Sequence, residues 1–106
     1  MANYLLVYYG GNMETDPKKA EKSMAVWMKW FADLGKAVVD IGTPTMPGKI
    51  IGASGVRSIG ANPVTGYTII KADTLDSAIK LVKNCPIIAN GGRVAVYQTI
   101  PMQMPK

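Results

Sequence analysis

One carboxylate, Asp40, stands inside the otherwise apolar run "AVVDIG" of the 106-residue chain. In a strand such a charge faces a packed space, where it either shifts its pKa or takes a partner. In a partly apolar cleft, burial raises a carboxyl and makes it a general acid or base near neutral pH. A structural aspartate is the other reading, accepting backbone N–H groups of the loop from Thr43 to Gly48, or bonding a tyrosine or lysine. Trp27 and Trp30 are three residues apart and so are neighbours on a helix surface, as core packing or as a ring platform for a ligand. Tyr8, Tyr67 and Tyr97 fall on apolar runs and offer phenolic hydroxyls to a cleft, or one satisfied hydrogen bond each to a core. Asp40 is thus the catalytic candidate, and Trp30, Tyr8, Tyr67 and Trp27 are the candidate ligand contacts. Cys85 ends a predicted helix, where the dipole disfavours a thiolate, and reads as a small buried residue. Lys29, Arg57 and Lys71 are either anion-binding groups or solvated surface charges.

Other chemistry is excluded by what the chain lacks. With no histidine and one cysteine, a zinc or haem site has almost no ligands, so neither metal nor cofactor is expected. Nucleophile pairs of the Ser-His or Cys-His kind cannot exist. The stretch from Gly42 to Gly48-Lys49 is one residue too long for a phosphate loop, and Ile50 stands where Ser or Thr is needed. The net charge of +5 comes from twelve basic and seven acidic residues, and its one cluster, Lys18, Lys19 and Lys22, lies among Glu14, Asp16 and Glu21. No basic stripe with interleaved aromatics appears, so no nucleic-acid partner is expected. Apolar runs fall short of the roughly 20 residues that cross a bilayer. A single cysteine and the absence of a charged-then-apolar leader point to the cytoplasm.

The elements that position these residues are readable in order. "NYLLVYYGG" is a strand with apolar residues on both faces. Asp16 and Pro17 then start a helix as cap and first residue, Met24, Trp27, Met28, Phe31 and Leu34 form its buried stripe, and Gly35 ends it. Trp30 lies beside that stripe. In the short strand "AVVDIG", Val39 and Ile41 share one face and Val38 and Asp40 the other. "TPTMPGKIIGASG" reads as a loop with an extended piece at Lys49 to Ile51, placed to act as a lid or cleft rim. "VRSIG" and "TGYTIIKA" read as a hairpin turning at "GANP". A second helix follows, capped by Asp73 or Thr74, with Leu75, Ala78, Ile79 and Val82 as its stripe and Pro86 past its end. "GGRVAVYQTI" is the last strand and "PMQMPK" a loose tail or subunit-contacting arm.

The order β-α-β-β-α-β predicts an α+β domain, a ferredoxin-like antiparallel sheet with two helices on one face. Because the strands are apolar on both sides, the second face would expose a large apolar patch on a monomer, and pairing of two copies covers it. Hydrophobic residues at 48% against 18% charged ones favour the same outcome in so short a chain.

"YLLVYYGG", "WMKWFADLG" running into "VVDIGTP", "TGYTIIKADTLDSAIKLVKNCP" and "GGRVAVYQTIPM" together resemble the YCII-related family of small dimeric α/β-barrel proteins. The resemblance covers most of residues 1–106 as one domain. It implies a homodimer of ferredoxin-like subunits meeting sheet to sheet, with a cleft between sheet and loops on each side. Some members of that family are thought to pair a histidine with an aspartate there. Only the aspartate can be carried over, Asp40 being its candidate, and a histidine-dependent mechanism is excluded. The Asp-Gly-Pro-Phe signature of one branch is replaced by "GANPVTGY". The expectation is a dimer binding a small, partly apolar metabolite, with a proton-transfer or lyase-type step at Asp40. The alternative is a non-catalytic binding or accessory dimer in which Asp40 is structural.

Overall fold

The computed structural model describes residues 1–11 and 16–101. The tail beyond Pro101, and Glu14 beside the basic cluster, lie outside the described residues. The elements run β1 (Ala2–Tyr9), α1 (Pro17–Leu34), a 3₁₀ turn (Gly35–Ala37), β2 (Val38–Asp40), β3 (Lys49–Gly52), β4 (Gly55–Ser58), β5 (Val64–Ala72), α2 (Leu75–Val82), α3 (Pro86–Ala89) and β6 (Arg93–Gln98). Four strands form one sheet in the order β2-β5-β1-β6, every neighbour antiparallel. With β3 and β4 set aside, this is the ferredoxin-like arrangement. Among the described residues no helix is long and apolar enough to cross a membrane.

Both main helices begin where the sequence places them. The Asp16 carboxylate accepts the Lys18 N–H at 3.0 Å ahead of Pro17, and the Thr74 hydroxyl accepts the Ser77 N–H at 3.0 Å. Each bond satisfies an otherwise orphaned donor of the first turn. All helices pack on one face of the sheet. Tyr4, Leu6 and Tyr8 of β1 and Ile70 and Ala72 of β5 meet Trp30, Ala78, Val82, Cys85 and Ile87 there. Alternation sends Leu5, Val7, Tyr67, Ile69 and Tyr97 to the other face, where Tyr97 is exposed and the other four are half-buried.

Four expectations change. The buried side of α1 is centred on Trp30, with Trp27, Phe31 and Leu34 beside it, whereas Met24 and Met28 are 63% and 53% exposed. The hairpin joins β3 to β4 through Ala53 and Ser54, and β5 pairs instead with β1 and β2. The expected lid is not a free loop: Thr45 donates its N–H to the Thr65 carbonyl at 3.0 Å and Tyr67 to the Thr43 carbonyl at 3.3 Å, which prolongs β2 along β5. Finally, α2 stops at Val82, and Pro86 opens α3 instead of trailing a longer helix.

The swap of buried side chains on α1 is measurable by denaturant unfolding. Trp30→Ala removes a core side chain and costs about 3–5 kcal/mol, while Met28→Ala stays within about 0.5 kcal/mol. Equal losses at the two positions would return Met28 to the core.

Candidate functional site

The sheet divides the sequence candidates into two groups. On the helix face Tyr8, Trp27 and Trp30 come together with Phe31. The ring of Tyr8 meets that of Trp27 edge-on at 5.2 Å, and Trp27 meets Trp30 at 5.9 Å. Offset and edge-on contacts of this kind are favoured by the ring quadrupoles. Tyr8 and Trp30 are 5% and 6% exposed, so the cluster has no ring surface open to a ligand at those two positions. Tyr67 and Asp40 are held apart from them, toward the opposite face.

A hydrogen-bonded chain threads the helix-face core. The Tyr8 hydroxyl donates to Thr68 Oγ1 at 2.7 Å, and the Thr68 hydroxyl donates to the Ile41 carbonyl at 2.9 Å. Thr68 is fully buried and had no place among the sequence candidates. Its signal is the one hydroxyl on the inward positions of β5, which otherwise carry Gly66, Ile70 and Ala72. Burial pushes the Tyr8 phenol well above its ordinary value, the Thr68 bond pulls it down and Cys85 adds a further upward push. Burial likewise raises the Cys85 thiol to about 11, with the Ile87 backbone and Tyr8 acting the other way. Both groups are therefore neutral at pH 7 and are hydrogen-bonding partners, not nucleophiles. Cys85 is buried as the sequence suggests, but it stands at the N-cap of α3, not at the end of α2.

Asp40 occupies the outer end of the sheet. It is opposite Ile69, while Val38 is opposite Ile70, with a register shift between the two pairs. Partners across a ladder share a face, so Asp40 belongs to the open face and Val38 to the helix face, and the shift breaks the simple alternation of the strand. The carboxylate is exposed and accepts the Gly42 N–H at 2.8 Å through Oδ1. The structural reading expects a donor in the loop from Thr43 to Gly48, whereas the donor here is Gly42, just before that loop, in a local aspartate turn. Gly42 has φ +73°, and a Cβ there would lie 1.7 Å from the Tyr67 carbonyl oxygen, so only glycine fits this turn.

A groove lies elsewhere. It has a volume of about 340 Å³ and is lined by Leu75, Ile79 and Val82 of α2, Ile88 of α3, and Val94 and Val96 of β6, with Lys83 beside them. Leu75 and Ile79 are 44% and 38% exposed although they belong to the apolar stripe of α2. The sequence marks that stripe, yet reads it wholly as core. Lys29 is exposed on α1, Lys71 is half-buried on β5, and Arg57 lies on the β3-β4 hairpin, so none of the three reaches this groove. Among the described residues no group of three or more His, Cys, Asp or Glu side chains is placed to hold a metal.

No family model and no curated protein matches the chain. Among solved structures it is similar to 5-chloro-2-hydroxyhydroquinone dehydrochlorinase from Burkholderia phenoliruptrix AC1100, determined in complex with 2,5-dihydroxybenzoquinone. The TM-score is 0.53 at 17% identity, over 91% of this chain and 93% of that one. At that identity the likeness is one of fold.

The buried thiol sets an alkaline limit. A group whose pKa is raised on folding gives up stability as pH climbs from its ordinary value, near 9 for Cys85, through its folded value of about 11. The melting temperature of the wild type should therefore fall between pH 9 and 11 more steeply than that of Cys85→Ala. Parallel slopes for the two proteins would show that the thiol does not titrate on unfolding.

Proposed function

We propose that the protein is a YCII-like cytoplasmic homodimer that binds one small, mainly apolar molecule per chain in the groove between α2, α3 and β6. The observation that carries this reading is the groove itself. About 340 Å³ falls in the roughly 300–1,000 Å³ range of small-molecule sites. Its walls are aliphatic, and the exposed Lys83 suits a ligand with one anionic or strongly polar end. Two copies pair through the open face that carries Leu5, Val7, Ile69 and Tyr97. That face and the groove lie on opposite sides of the sheet, so partner and ligand do not compete.

A reaction at Asp40 is the second reading, and one observation favours it. Oδ1 takes the Gly42 N–H, which leaves the other oxygen of an exposed carboxylate for a substrate. Geometry limits where that substrate can sit. Asp40 is on the edge strand β2 and the groove flanks the opposite edge strand β6, three strand spacings or about 14 Å away. The reacting molecule would have to lie at the open face, with Tyr67 as a neighbour, and not in the groove of the same chain.

Thermal-shift measurements separate the readings, with 2,5-dihydroxybenzoquinone as the first probe because the structurally similar dehydrochlorinase was determined in complex with it. At ten times its Kd a ligand adds about 1.4 kcal/mol, which is roughly 6–11 °C in a domain of this size. Ile79→Trp fills the groove and should abolish the shift without lowering the unliganded melting temperature. A shift that survives Ile79→Trp moves the ligand out of the groove.

Asp40→Asn keeps an acceptor for Gly42 and should change stability by less than about 0.5 kcal/mol. It should also leave the ligand shift intact. If this variant instead loses ligand binding or turnover while melting like the wild type, the carboxylate belongs to the working site and the second reading replaces the first.

A further inference from the structure

The groove between α2, α3 and β6 has aliphatic walls along its length and a single charge at one end. Among the described residues that line it, Lys83 alone is charged, none is aromatic and none is a carboxylate. A ring bound here would find no side-chain ring to stack on, and an ammonium group would find no carboxylate to pair with. What the walls offer is burial of aliphatic surface. Leu75, Ile79 and Ile88 are 44%, 38% and 46% exposed, and an alkyl chain laid along them removes that surface from water.

The charge has a fixed place in this groove. α2 spans Leu75–Val82 and Lys83 is its C-terminal cap, so Leu75 and Lys83 line the groove from opposite ends of the helix. At about 1.5 Å of rise per residue they stand about 12 Å apart along its axis. Lys83 is exposed and makes no ion pair among the described residues. The carbonyl end of α2 by itself repels an anion, so the Lys83 charge decides whether one is accepted there. An ammonium is a compact point charge and matches one negative charge. A doubly charged head, such as a phosphate monoester, would leave its second charge uncompensated beside the aliphatic wall. We infer that the ligand of this groove is an aliphatic monocarboxylate of medium chain length, its carboxylate at Lys83 and its methyl end at Leu75. The inference rests on the groove reading proposed above and names the class of molecule that the groove takes.

The test is isothermal titration calorimetry of the full chain with butanoate, hexanoate, octanoate and octanol. Affinity for the carboxylates should rise about twofold to fourfold per added methylene, the upper figure being full burial. Lys83→Glu, a change at an exposed position, should weaken octanoate about tenfold, an ion pair giving way to a repulsion of like size. The same variant should leave octanol within about twofold of the wild type, since the alcohol carries no charge. Leu75→Trp blocks the far end and should remove the gain from hexanoate to octanoate while leaving butanoate as it was. An equal response of octanol and octanoate to Lys83→Glu overturns the carboxylate head, and if Ile79→Trp abolishes both, the groove reading stands without it. Absence of octanoate binding, with a 2,5-dihydroxybenzoquinone shift that Ile79→Trp abolishes, likewise overturns the ligand class alone. Octanoate binding that survives Ile79→Trp lies outside the groove and overturns both.

Discussion

The hydroxyl of Thr68 adds side-chain bonds to the ladder that pairs β1, β5 and β2. It accepts from Tyr8 of β1, stands on β5, and donates to the carbonyl of Ile41 just past β2. Without it the Tyr8 hydroxyl would be left in a buried site with one partner fewer, and the Ile41 carbonyl would lose its donor. An unsatisfied buried polar group costs about 1–3 kcal/mol, a large share of the roughly 5–15 kcal/mol by which domains are stable. By contrast, the exposed bond from Gly42 to Asp40 is a local turn contact open to water, worth no more than about 1 kcal/mol. The core chain therefore fixes the turn on which Asp40 sits, and Asp40 trims a conformation that Thr68 and Gly42 already impose.

The same constraint accounts for the segment after Asp40. Once the Ile41 carbonyl is tied inward, the chain can continue only close along β5, and the carbonyl of Thr43 and N–H of Thr45 complete that edge. Gly66 makes the approach possible, since a Cβ there would meet the Thr43 carbonyl oxygen at 3.2 Å and the Pro44 Cα at 3.3 Å. What leaves this edge is the hairpin of β3 and β4. It begins at Lys49, after Met46, Pro47 and Gly48, which follow the last of these edge bonds.

Signals confined to a few neighbouring residues were legible in the sequence. Asp16-Pro17 and Thr74 start the helices because capping chemistry acts within one turn, and the strand runs and helix order suffice for the ferredoxin-like class. Choices between equivalent patterns were not legible. Met24 and Met28 stand about 120° and 160° round the helix from Trp30, and only the packed core shows that the inward side is the one carrying Trp30 with Trp27, Phe31 and Leu34. The pairing of β4 was hidden for a related reason. "GANP" is a good turn signal, but β5 is claimed on both sides by β1 and β2, so β4 closes back on β3 through the two residues between Gly52 and Gly55. The groove is beyond sequence reading because Leu75 and Ile79 look like any core pair until the sheet is seen to end at β6, short of covering them.

Placement on the sheet decides what the candidate residues can do together. Asp40 lies on the open face at the β2 edge, and the groove lies on the helix face at the β6 edge. Between them stands a layer of packed side chains that excludes water and fixes each group to its own side. General acid-base catalysis requires hydrogen-bond reach, about 2.6–3.2 Å or one bridging water. No rotamer of a four-atom carboxylate spans the breadth of a sheet. A ligand in the groove and the carboxylate of the same chain therefore belong to separate events. The pairing of copies proposed through the open face would change the surroundings of Asp40 and Tyr67 and leave the groove, on the other side of the sheet, as it is.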